Sequence, residues 1–237
     1  YVGNALGYHV QLGGNIGLPV LDQIDEVDAD FIVLELSSFQ LETVKSMKAL
    51  AATILNISDD HLDRHKTIEN YAAIKQKIYQ NARYAIFNRD DESTKPIENC
   101  TNTEQLSFGC DSAQNANFGL ADIDGVVHLM DGETALCSLT ELPLQGIHNA
   151  VNYLAVLALG KCAGWNVAAM LASLITFKGL AHRCEVIETT DGICWVNDSK
   201  ATNVGATLAA IEGLSPTLKN NKLILIAGGD GKGADFS

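Results

Sequence analysis

The sequence lacks long apolar runs and is poor in basic residues. Its 237 residues include 16 Lys and Arg against 29 Asp and Glu, which gives a net charge of −13. No apolar run approaches the ~18 residues that a membrane-spanning helix needs, and the start of the chain lacks the basic and apolar regions of a signal peptide. These absences argue against membrane insertion and secretion, and we expect a cytoplasmic protein. No cluster of Lys and Arg offsets the acidic charge, which argues against a nucleic-acid partner.

The sequence also lacks the cysteine and histidine spacing of a zinc site and the motif of a phosphate-binding loop. The six cysteines, at positions 100, 110, 137, 162, 184 and 194, include no C-x-x-C pair and have no histidine beside them at zinc-ligand spacing, so we expect reduced thiols. The phosphate-binding loop G-x-x-x-x-G-K-[ST] does not occur, because no Ser or Thr follows Lys232 in Gly228–Gly233. The chain begins with Tyr1 and stops shortly after this glycine turn, and we expect both ends to be cut.

Short apolar runs alternate with stretches of helical period over about the first ninety residues. This alternation is typical of βαβ units, and it predicts an α/β fold with a mainly parallel sheet. The predicted strands are rich in apolar and β-branched residues: Val10–Leu12, Phe31–Leu36, Thr53–Ile57 and Tyr84–Phe87. Apolar residues three and four positions apart predict helices at Ile16–Ile24 and Ile68–Tyr79 on the faces of the sheet.

The rest of the chain predicts a small antiparallel portion and then a second α/β unit. Residues 88–145 are rich in Asn, Asp, Gly and Thr, with alternating segments at Gln105–Phe108 and Val126–Met130 that favour an antiparallel edge. A linker at 177–183 places a domain boundary near residue 179. The elements predicted beyond residue 145 are helices at Ala150–Ala163, Val167–Ile175 and 203–213, and strands at 184–189, 193–197 and 222–227.

Polar side chains follow the first two predicted strands, at the sheet edge where α/β proteins bind ligands. Gly13–Gly17 offers backbone N–H groups that could hold an anion or serve only as a turn. The carboxylate of Glu35 suits Mg²⁺, with Ser37, Ser38 and Gln40 as nearby hydrogen-bonding groups. Alternatively, Glu35 pairs with a lysine and the serines cap a helix.

His61 follows the next strand, within Ser58–Arg64, so the pattern places an imidazole and acidic neighbours at the same edge as Glu35. This arrangement favours a divalent-metal site, and the alternative is an acidic capping turn beside a solvated histidine. His61 and His65 have the i, i+4 spacing of zinc ligands, but no third ligand is apparent. We interpret Glu42 as a surface charge.

Two further segments carry lysines. Lys75 lies between Ile74 and Ile78 on a predicted helix, where a lysine usually extends to solvent or pairs with an acid. Asn197–Asn203 follows a predicted strand and offers one acid, one cation and several hydroxyl or amide groups. This mixture suits a nucleotide and a second polar substrate, and an elaborate helix N-cap is the alternative.

In combination, the sequence resembles the Mur ligase family in motifs that occur in order: GGNIGLP, LELSSFQLE, DDHLDRH, AAIK, GIHNAVNYLAVLAL, GLAHRCE, NDSKATN and GGDGKGADF. The motifs run from Gly13 to Phe236 and cover nearly the whole chain. The resemblance implies a central ATPase-like domain over residues 1–179, whose phosphate-binding loop would lie upstream, and the start of a Rossmann-like domain over 180–237. Such a fragment is expected to be inactive alone.

Within the family, ELSSFQLE and NDSKATN resemble the members that add D-glutamate to UDP-N-acetylmuramoyl-L-alanine. The resemblance implies ATP and Mg²⁺ as cofactors, an acyl-phosphate intermediate, and a role in peptidoglycan precursor synthesis. It implies these two substrates as the partners of a monomeric enzyme. The alternatives are another Mur-type or a folylpolyglutamate-type ligase, and a nucleotide-binding module without turnover.

The resemblance also implies roles for single residues. It assigns Glu35, His61 and Lys75 to Mg²⁺, and it makes His61, Lys75 and Lys200 catalytic. Lys75 would act as a carbamate, because burial lowers a lysine pKa and a neutral amine can add CO₂; Lys77 is the alternative. The other implied contacts are the muramoyl substrate for Asn15 and Ser37, the nucleotide for Asn149, Asn152, Arg183 and Asp198, the reaction centre for Lys200 and Thr202, and the D-glutamate carboxylate for Lys232.

Overall fold

The chain folds into parallel and antiparallel sheets surrounded by helices. The structure is a computed structural model that describes residues 1–23, 28–97, 103–112, 117–187, 189–215 and 222–229. The strands are β1 (Val10–Gly14), β2 (Phe31–Glu35), β3 (Ala51–Ile54), β4 (Tyr84–Asn88), β5 (Glu104–Phe108), β6 (Phe118–Ile123), β7 (Val126–Asp131), β8 (Thr134–Ser138), β9 (Glu185–Ile187) and β10 (Trp195–Asn197). The helices are α1 (Val2–Ala5), α2 (Ser38–Thr43), α3 (Leu62–His65), α4 (Ile68–Lys75), α5 (Ile147–Cys162), α6 (Val167–Leu174) and α7 (Val204–Leu214).

Parallel pairs form the first part of the fold. β1 pairs with β2, from Val10 opposite Phe31 to Gly14 opposite Glu35. β3, β4 and β5 form a three-stranded parallel sheet in that order. Parallel neighbours need a connection that crosses back over the sheet, which the segments between these strands are long enough to provide. The predicted α/β class with a mainly parallel sheet is therefore confirmed.

The antiparallel portion is smaller than predicted. β6, β7 and β8 form an antiparallel sheet, which confirms the strand predicted at Val126–Met130. The placement of Gln105–Phe108 in this portion is wrong, because these residues belong to β5 and pair in parallel with β4. An alternation of period two occurs in both kinds of strand, so it does not reveal the direction of the partner.

The main core lies against α5, a 16-residue helix that confirms the prediction at Ala150–Ala163. Its buried residues share one cluster with residues of the sheets and α6, including Ile86, Phe108, Phe118, Leu129, Leu154, Leu157 and Met170. Lys161 Nζ donates to the Asp131 carboxylate at 2.7 and 2.8 Å and so links α5 to β7. Burial of α5 thereby joins the parallel and antiparallel sheets. No helix in the described part of the chain is long and apolar enough to cross a membrane.

The helix predicted at Ile16–Ile24 is wrong. Residues 15–17 form a bend, Leu18 bridges to Gly13, and a short 3₁₀ turn follows at Val20–Gln23; residue 24 lies outside the described residues. Gly17 has a φ of 67°, which departs from helical geometry, and Pro19 has no N–H to donate. The segment after β1 is therefore a turn, and it presents no helix N-terminus to an anion.

The last described elements agree in part with the sequence. β9, β10 and α7 confirm the predictions at 184–189, 193–197 and 203–213, and β9 pairs with β10 in antiparallel fashion. The strand predicted at 222–227 is wrong, because no described strand pairs with this segment, and Ile224 and Ile226 are 81% and 80% exposed. A strand requires partners for its backbone groups, so apolar composition alone does not form one.

Tyr79 joins three parts of the parallel region. It ends the 3₁₀ turn Gln76–Tyr79 that continues α4, and its side chain is fully buried. Its hydroxyl accepts a hydrogen bond from Ile54 N at 3.1 Å. The same hydroxyl can donate to Ile86 O or Thr94 O, each at 2.9 Å. One side chain thus connects β3, β4 and the segment after β4.

Replacing Tyr79 with Phe should leave buried polar groups without their partner. We expect Tyr79→Phe to lower the free energy of unfolding by about 1–3 kcal/mol. Tyr84→Phe, at the half-buried first position of β4, should change it by less than about 0.5 kcal/mol. Urea denaturation measures both values, and equal losses in the two variants would contradict this role of Tyr79.

Candidate functional site

Asn15 and Glu35 meet where β1 and β2 end. Gly14 has a φ of +105°, and a Cβ on it would come within 2.2 Å of the Glu35 carbonyl oxygen. This close approach lets Asn15 N donate to Glu35 O at 2.7 Å, while Asn15 Nδ2 donates to Glu35 Oε1 at 3.3 Å. Both residues are exposed. The Glu35 carboxylate is therefore oriented by Asn15 and open to a ligand.

Ser37 directs the chain from β2 into α2. Its Oγ accepts from Gln40 N at 3.3 Å, and its own N–H donates to Gln40 Oε1 at 2.9 Å, which makes a capping box. Such a cap satisfies two backbone donors at the start of a helix. The capping interpretation is thus confirmed for Ser37, whose hydroxyl lies in the turn that follows Glu35.

His61 lies in the turn before α3 and has a left-handed backbone conformation, with φ 52° and ψ 33°. Its N–H donates to Asp60 Oδ1 at 3.0 Å. Its ring packs edge-on against Phe39, with 5.0 Å between the ring centroids. A non-glycine residue adopts this conformation at a cost of roughly 1–2 kcal/mol, which these contacts help to offset. They also hold the imidazole beside α2, the helix that follows Glu35.

Lys75 ends α4 with a half-buried side chain. Its Nζ lies 5.3 Å from the centroid of the Tyr71 ring. Burial lowers the pKa of Lys75, and the negative charges of Asp60 and Glu35 oppose that shift. Burial also raises the pKa of Tyr71 to about 12, and Asp60 adds to this shift. The structure therefore places Lys75 in one electrostatic environment with Glu35 and the turn that carries His61.

A group of residues behind these side chains was not predicted from the sequence. Glu42 is not simply a surface charge, because its Oε2 accepts from Arg64 at 2.6 Å and its Oε1 lies 3.7 Å from His65 Nδ1. His65 is buried, and its Nε2 shares a hydrogen bond with Ser38 Oγ at 2.9 Å. Lys77 Nζ donates to the Glu42 carbonyl at 3.3 Å, so Lys77 is bonded to α2. The i, i+4 spacing of Ser38 and Glu42 places both on one face of α2 but does not indicate their partners.

A second group of predicted residues surrounds the start of α5. Asn149 Nδ2 donates to Gln145 O at 2.9 Å and is thereby held at the beginning of the helix. Burial lowers the pKa of the neighbouring His148, and the negative charge of Asp198 opposes this shift. Asp198 Oδ1 accepts from Cys184 N at 3.0 Å. Asn149 and Asp198 therefore belong to one region of the molecule.

The other predicted residues of this group have exposed side chains: Asn152, Arg183, Lys200 and Thr202. Asn152 follows Asn149 by three positions on α5, which places both on one face of the helix. Lys200 N donates to His182 O at 3.1 Å and so holds its segment beside the turn that contains Arg183. Lys232 lies outside the described residues.

Helix α7 lies against both groups. A Cβ on Gly205 would lie 3.7 Å from Oγ of Ser58, a residue of the turn that leads to His61. A Cβ on Gly213 would come within 2.3 Å of the His148 ring. Glycine permits the close approach at position 213, whereas the distance from position 205 to Ser58 is an ordinary van der Waals contact. The segment 197–203 leads directly into this helix. The start of α7 therefore lies near the first group of candidate residues, and its end lies near the second.

The side chains at this site suit a cation held by carboxylates better than a zinc ion held by histidines and cysteines. Within the described ranges, no group of three or more His, Cys, Asp and Glu side chains could hold a metal ion by itself. His65 gives no support for zinc, because its buried ring is bonded to Ser38. The carboxylates of Glu35 and Asp60 instead act together on the positive charge of Lys75.

Comparisons with known proteins agree with these observations. Residues 7–160 match the family described as the Mur ligase middle domain. A UDP-N-acetylmuramoylalanine--D-glutamate ligase from Colwellia psychrerythraea is 54% identical over 98% of this chain and 51% of that protein. A protein of the same name from Legionella pneumophila strain Paris is 46% identical over 98% of this chain and 52% of that protein. The crystal structure of MurF from Acinetobacter baumannii shares the fold, with a TM-score of 0.68 at 18% identity over 93% of this chain and 51% of that one.

The length of the match limits what it covers. The chain spans about half the length of the curated relatives that it matches. The family match at residues 7–160 includes Glu35, His61, Lys75 and Asn149. Asp198 lies beyond residue 160 and therefore outside the family match.

Gly14→Ala should show how tightly β1 and β2 approach each other at the site. Gly14 and Gly7 both have positive φ, at 105° and 89°, but a Cβ on Gly7 meets nothing within 4 Å. Gly7→Ala should lower the free energy of unfolding by roughly 1–2 kcal/mol through backbone strain alone. Gly14→Ala should lower it further, because the Glu35 carbonyl must move. Urea denaturation compares the variants, and equal losses would contradict the close approach.

Proposed function

Because the chain belongs to the Mur ligase family, we propose that the protein carrying it is an ATP-dependent ligase that joins D-glutamate to UDP-N-acetylmuramoyl-L-alanine. The reaction would pass through an acyl phosphate in peptidoglycan precursor synthesis. The two relatives named for D-glutamate ligation match this chain over 98% of its length, which supports the choice of amino acid. We propose that the enzyme acts in the cytoplasm as a monomer.

The observation that carries this proposal is the environment of Lys75. A half-buried amine lies over the Tyr71 ring and within reach of the charges of Glu35 and Asp60. A lysine with only a solubilising role would extend its charge into water. Burial here lowers the pKa, and the neutral amine would add CO₂ with loss of one proton to give a carbamate. The carbamate oxygens are ligands of the kind that Mg²⁺ prefers.

We propose that Glu35, His61 and carbamylated Lys75 hold Mg²⁺. The residues fit a cation, because two carboxylates already act on the positive charge of Lys75 and Asn15 orients the Glu35 carboxylate. Bound Mg²⁺ would supply neutralisation of the charge on the transferred phosphate. Asn15 and Ser37 lie at the same strand end as Glu35 and are proposed to contact the muramoyl substrate.

The second group is proposed to bind the nucleotide and the incoming amino acid. The proposed nucleotide contacts are Asn149, Asn152, Arg183 and Asp198. Lys200 and Thr202 are proposed to line the reaction centre and Lys232 to contact the D-glutamate carboxylate. The proximity of the start of α7 to Ser58 and of its end to His148 supports a site that both groups share. We propose units at 1–179 and 180–237, with a hinge near Lys178–Ala181 that closes them on ATP.

These residues would act by positioning and by charge. The acyl phosphate and the tetrahedral intermediate carry negative charge, which an exposed cation such as Lys200 can neutralise. Asn15, which is itself bonded to Glu35, would help to hold the muramoyl substrate near the phosphate. Such positioning converts an encounter in solution into a step within one complex.

Phosphate release identifies the amino acid. We expect the complete gene product, given ATP, Mg²⁺ and UDP-N-acetylmuramoyl-L-alanine, to release phosphate only with D-glutamate. The controls are L-glutamate, L-lysine, meso-diaminopimelate and D-alanyl-D-alanine. Release with a different amine would indicate another Mur-type or a folylpolyglutamate-type ligase. ATP binding without any release would indicate a nucleotide-binding module.

Lys200→Ala tests the proposed reaction centre. Removing one group that stabilises developing negative charge should lower kcat by about 10²–10³-fold. The thermal midpoint should stay unchanged, because the Lys200 side chain is exposed. Lys45→Ala, at another exposed lysine, serves as the matched control and should keep normal turnover. Near-normal activity of the Lys200 variant would remove this residue from the reaction centre.

Mass spectrometry tests the carbamate. Under conditions that preserve bound CO₂, the peptide that contains Lys75 should carry the added mass of one CO₂, and acid should release it. Lys77→Arg should keep this added mass, and Lys75→Arg should lose it. An unmodified Lys75 in the intact enzyme with Mg²⁺ bound would refute the assignment.

A further inference from the structure

His65 is buried next to the proposed site, and the proposed function gives it no task. Only 1% of its side chain is exposed. Its Nε2 shares a hydrogen bond with Ser38 Oγ at 2.9 Å, and its Nδ1 lies 3.7 Å from Glu42 Oε1. Ser38 is itself buried at the first position of α2. Both ring nitrogens of His65 therefore face polar groups of the helix that follows Glu35.

The His65 ring also contacts two aromatic rings that support proposed catalytic residues. It lies 5.6 Å from the Phe39 ring and 5.3 Å from the Tyr71 ring, measured between centroids. Phe39 packs edge-on against His61 at 5.0 Å. Tyr71 lies beneath Lys75 Nζ at 5.3 Å. Each aromatic neighbour of His65 therefore contacts one of the two residues assigned to Mg²⁺ and catalysis.

The backbone that carries His61 depends on an outside anchor. α3 is a single turn between two non-glycine residues with positive φ, His61 at 52° and Lys66 at 72°. A helix of one turn is not stable by itself, because its few hydrogen bonds do not compensate for the ordering of the chain. His65 N donates to His61 O at 2.9 Å, and Asn70 Nδ2 donates to His65 O at 3.1 Å. His65 thus fixes this turn to α4 through its backbone and to α2 through its side chain.

The same contacts exclude His65 as a direct ligand. Its ring is almost fully covered, and its Nε2 is already bonded to Ser38. A metal or substrate would have to displace this hydrogen bond and open the packing of three aromatic side chains. His65 can influence the reaction only through the residues it holds.

We propose that His65 and Ser38 are a positioning pair that sets His61 and Lys75 relative to Glu35. The pair joins α2, the His61 turn and α4 at one buried point. The reaction assigned to these three residues rests on the proposed function, whereas the anchoring of His61 does not. Groups that orient metal ligands from behind typically change metal affinity or activity by about 10–100-fold when they are removed.

The variants separate the hydrogen bond from the packing. His65→Phe keeps a ring between Phe39 and Tyr71 but removes the bond to Ser38. Ser38→Ala removes the same bond with little change in volume. His65→Gln restores a polar group near the position of Nε2. His128→Phe is the matched control, because His128 is a half-buried histidine of β7 whose Nδ1 lies 2.9 Å from Val126 O.

Three readouts are measured on the complete gene product: kcat, the Mg²⁺ concentration for half-maximal activity, and the NMR signals of the His61 ring without metal. We expect His65→Phe and Ser38→Ala each to lower kcat about 10–100-fold and to raise the Mg²⁺ requirement about tenfold. Combining them should add little, because they remove one interaction. His65→Gln should recover part of the loss, and the His61 signals should move in His65→Phe and Ser38→Ala but not in His128→Phe.

Two outcomes would overturn the proposal. The first is unchanged His61 signals in Ser38→Ala and His65→Phe. The second is a lower thermal midpoint with normal kcat and normal Mg²⁺ requirement, which would make the pair merely structural. If the unmodified protein shows no ligase activity but both variants still move the His61 signals, the anchoring is supported and the proposed function alone fails.

Discussion

The partly buried charge of Lys75 is the constraint on which the site depends. Moving an ammonium group out of water is unfavourable unless nearby groups compensate for it. Here the compensation comes from Glu35 at the end of β2 and from Asp60 in the turn after β3. These residues are distant in sequence, so the fold must hold β2, the His61 turn and α4 together for Lys75 to remain where it is. A metal cation bound in place of the Lys75 ammonium charge would interact with the same two carboxylates, Glu35 and Asp60.

Several independent contacts keep these elements together. Gly14 lets β1 approach the Glu35 carbonyl, and the Ser37 cap directs the chain into α2. His65 then joins α2 to the turn of His61 and to α4. Tyr79 fixes the end of the α4 segment to β3 and β4. The site is therefore supported by groups that would not touch a substrate.

Elements with a strong local signal could be predicted from the sequence. The four strands of the first part and the helices at Ala150 and Val167 follow from apolar periodicity, and Glu35 and His61 were found because polar residues directly follow strands. The helix at Ile16–Ile24 failed because Gly17 and Pro19 break the helical backbone despite apolar spacing. The strand at 222–227 failed because pairing depends on a neighbour that composition does not reveal. The direction of β5 was missed for the same reason.

The contacts behind the site could not be predicted, because they join residues far apart in sequence. Ser38 and His65 are separated by 27 positions, and neither residue type indicates the other. Asp60 was recognised only as an acidic neighbour of His61, and its effect on Lys75 depends on how α4 packs. Local patterns identify which groups can react, whereas tertiary packing decides which of them share one environment.

The most direct test of this account is anomalous X-ray diffraction from crystals of the complete gene product soaked with Mn²⁺ in place of Mg²⁺. We expect an anomalous peak bounded by Glu35, His61 and the modified side chain of Lys75. An anomalous peak away from these three residues would contradict the central claim that they form a cation site. An ordered, unmodified Lys75 ammonium beside Glu35 with no metal would contradict it as well.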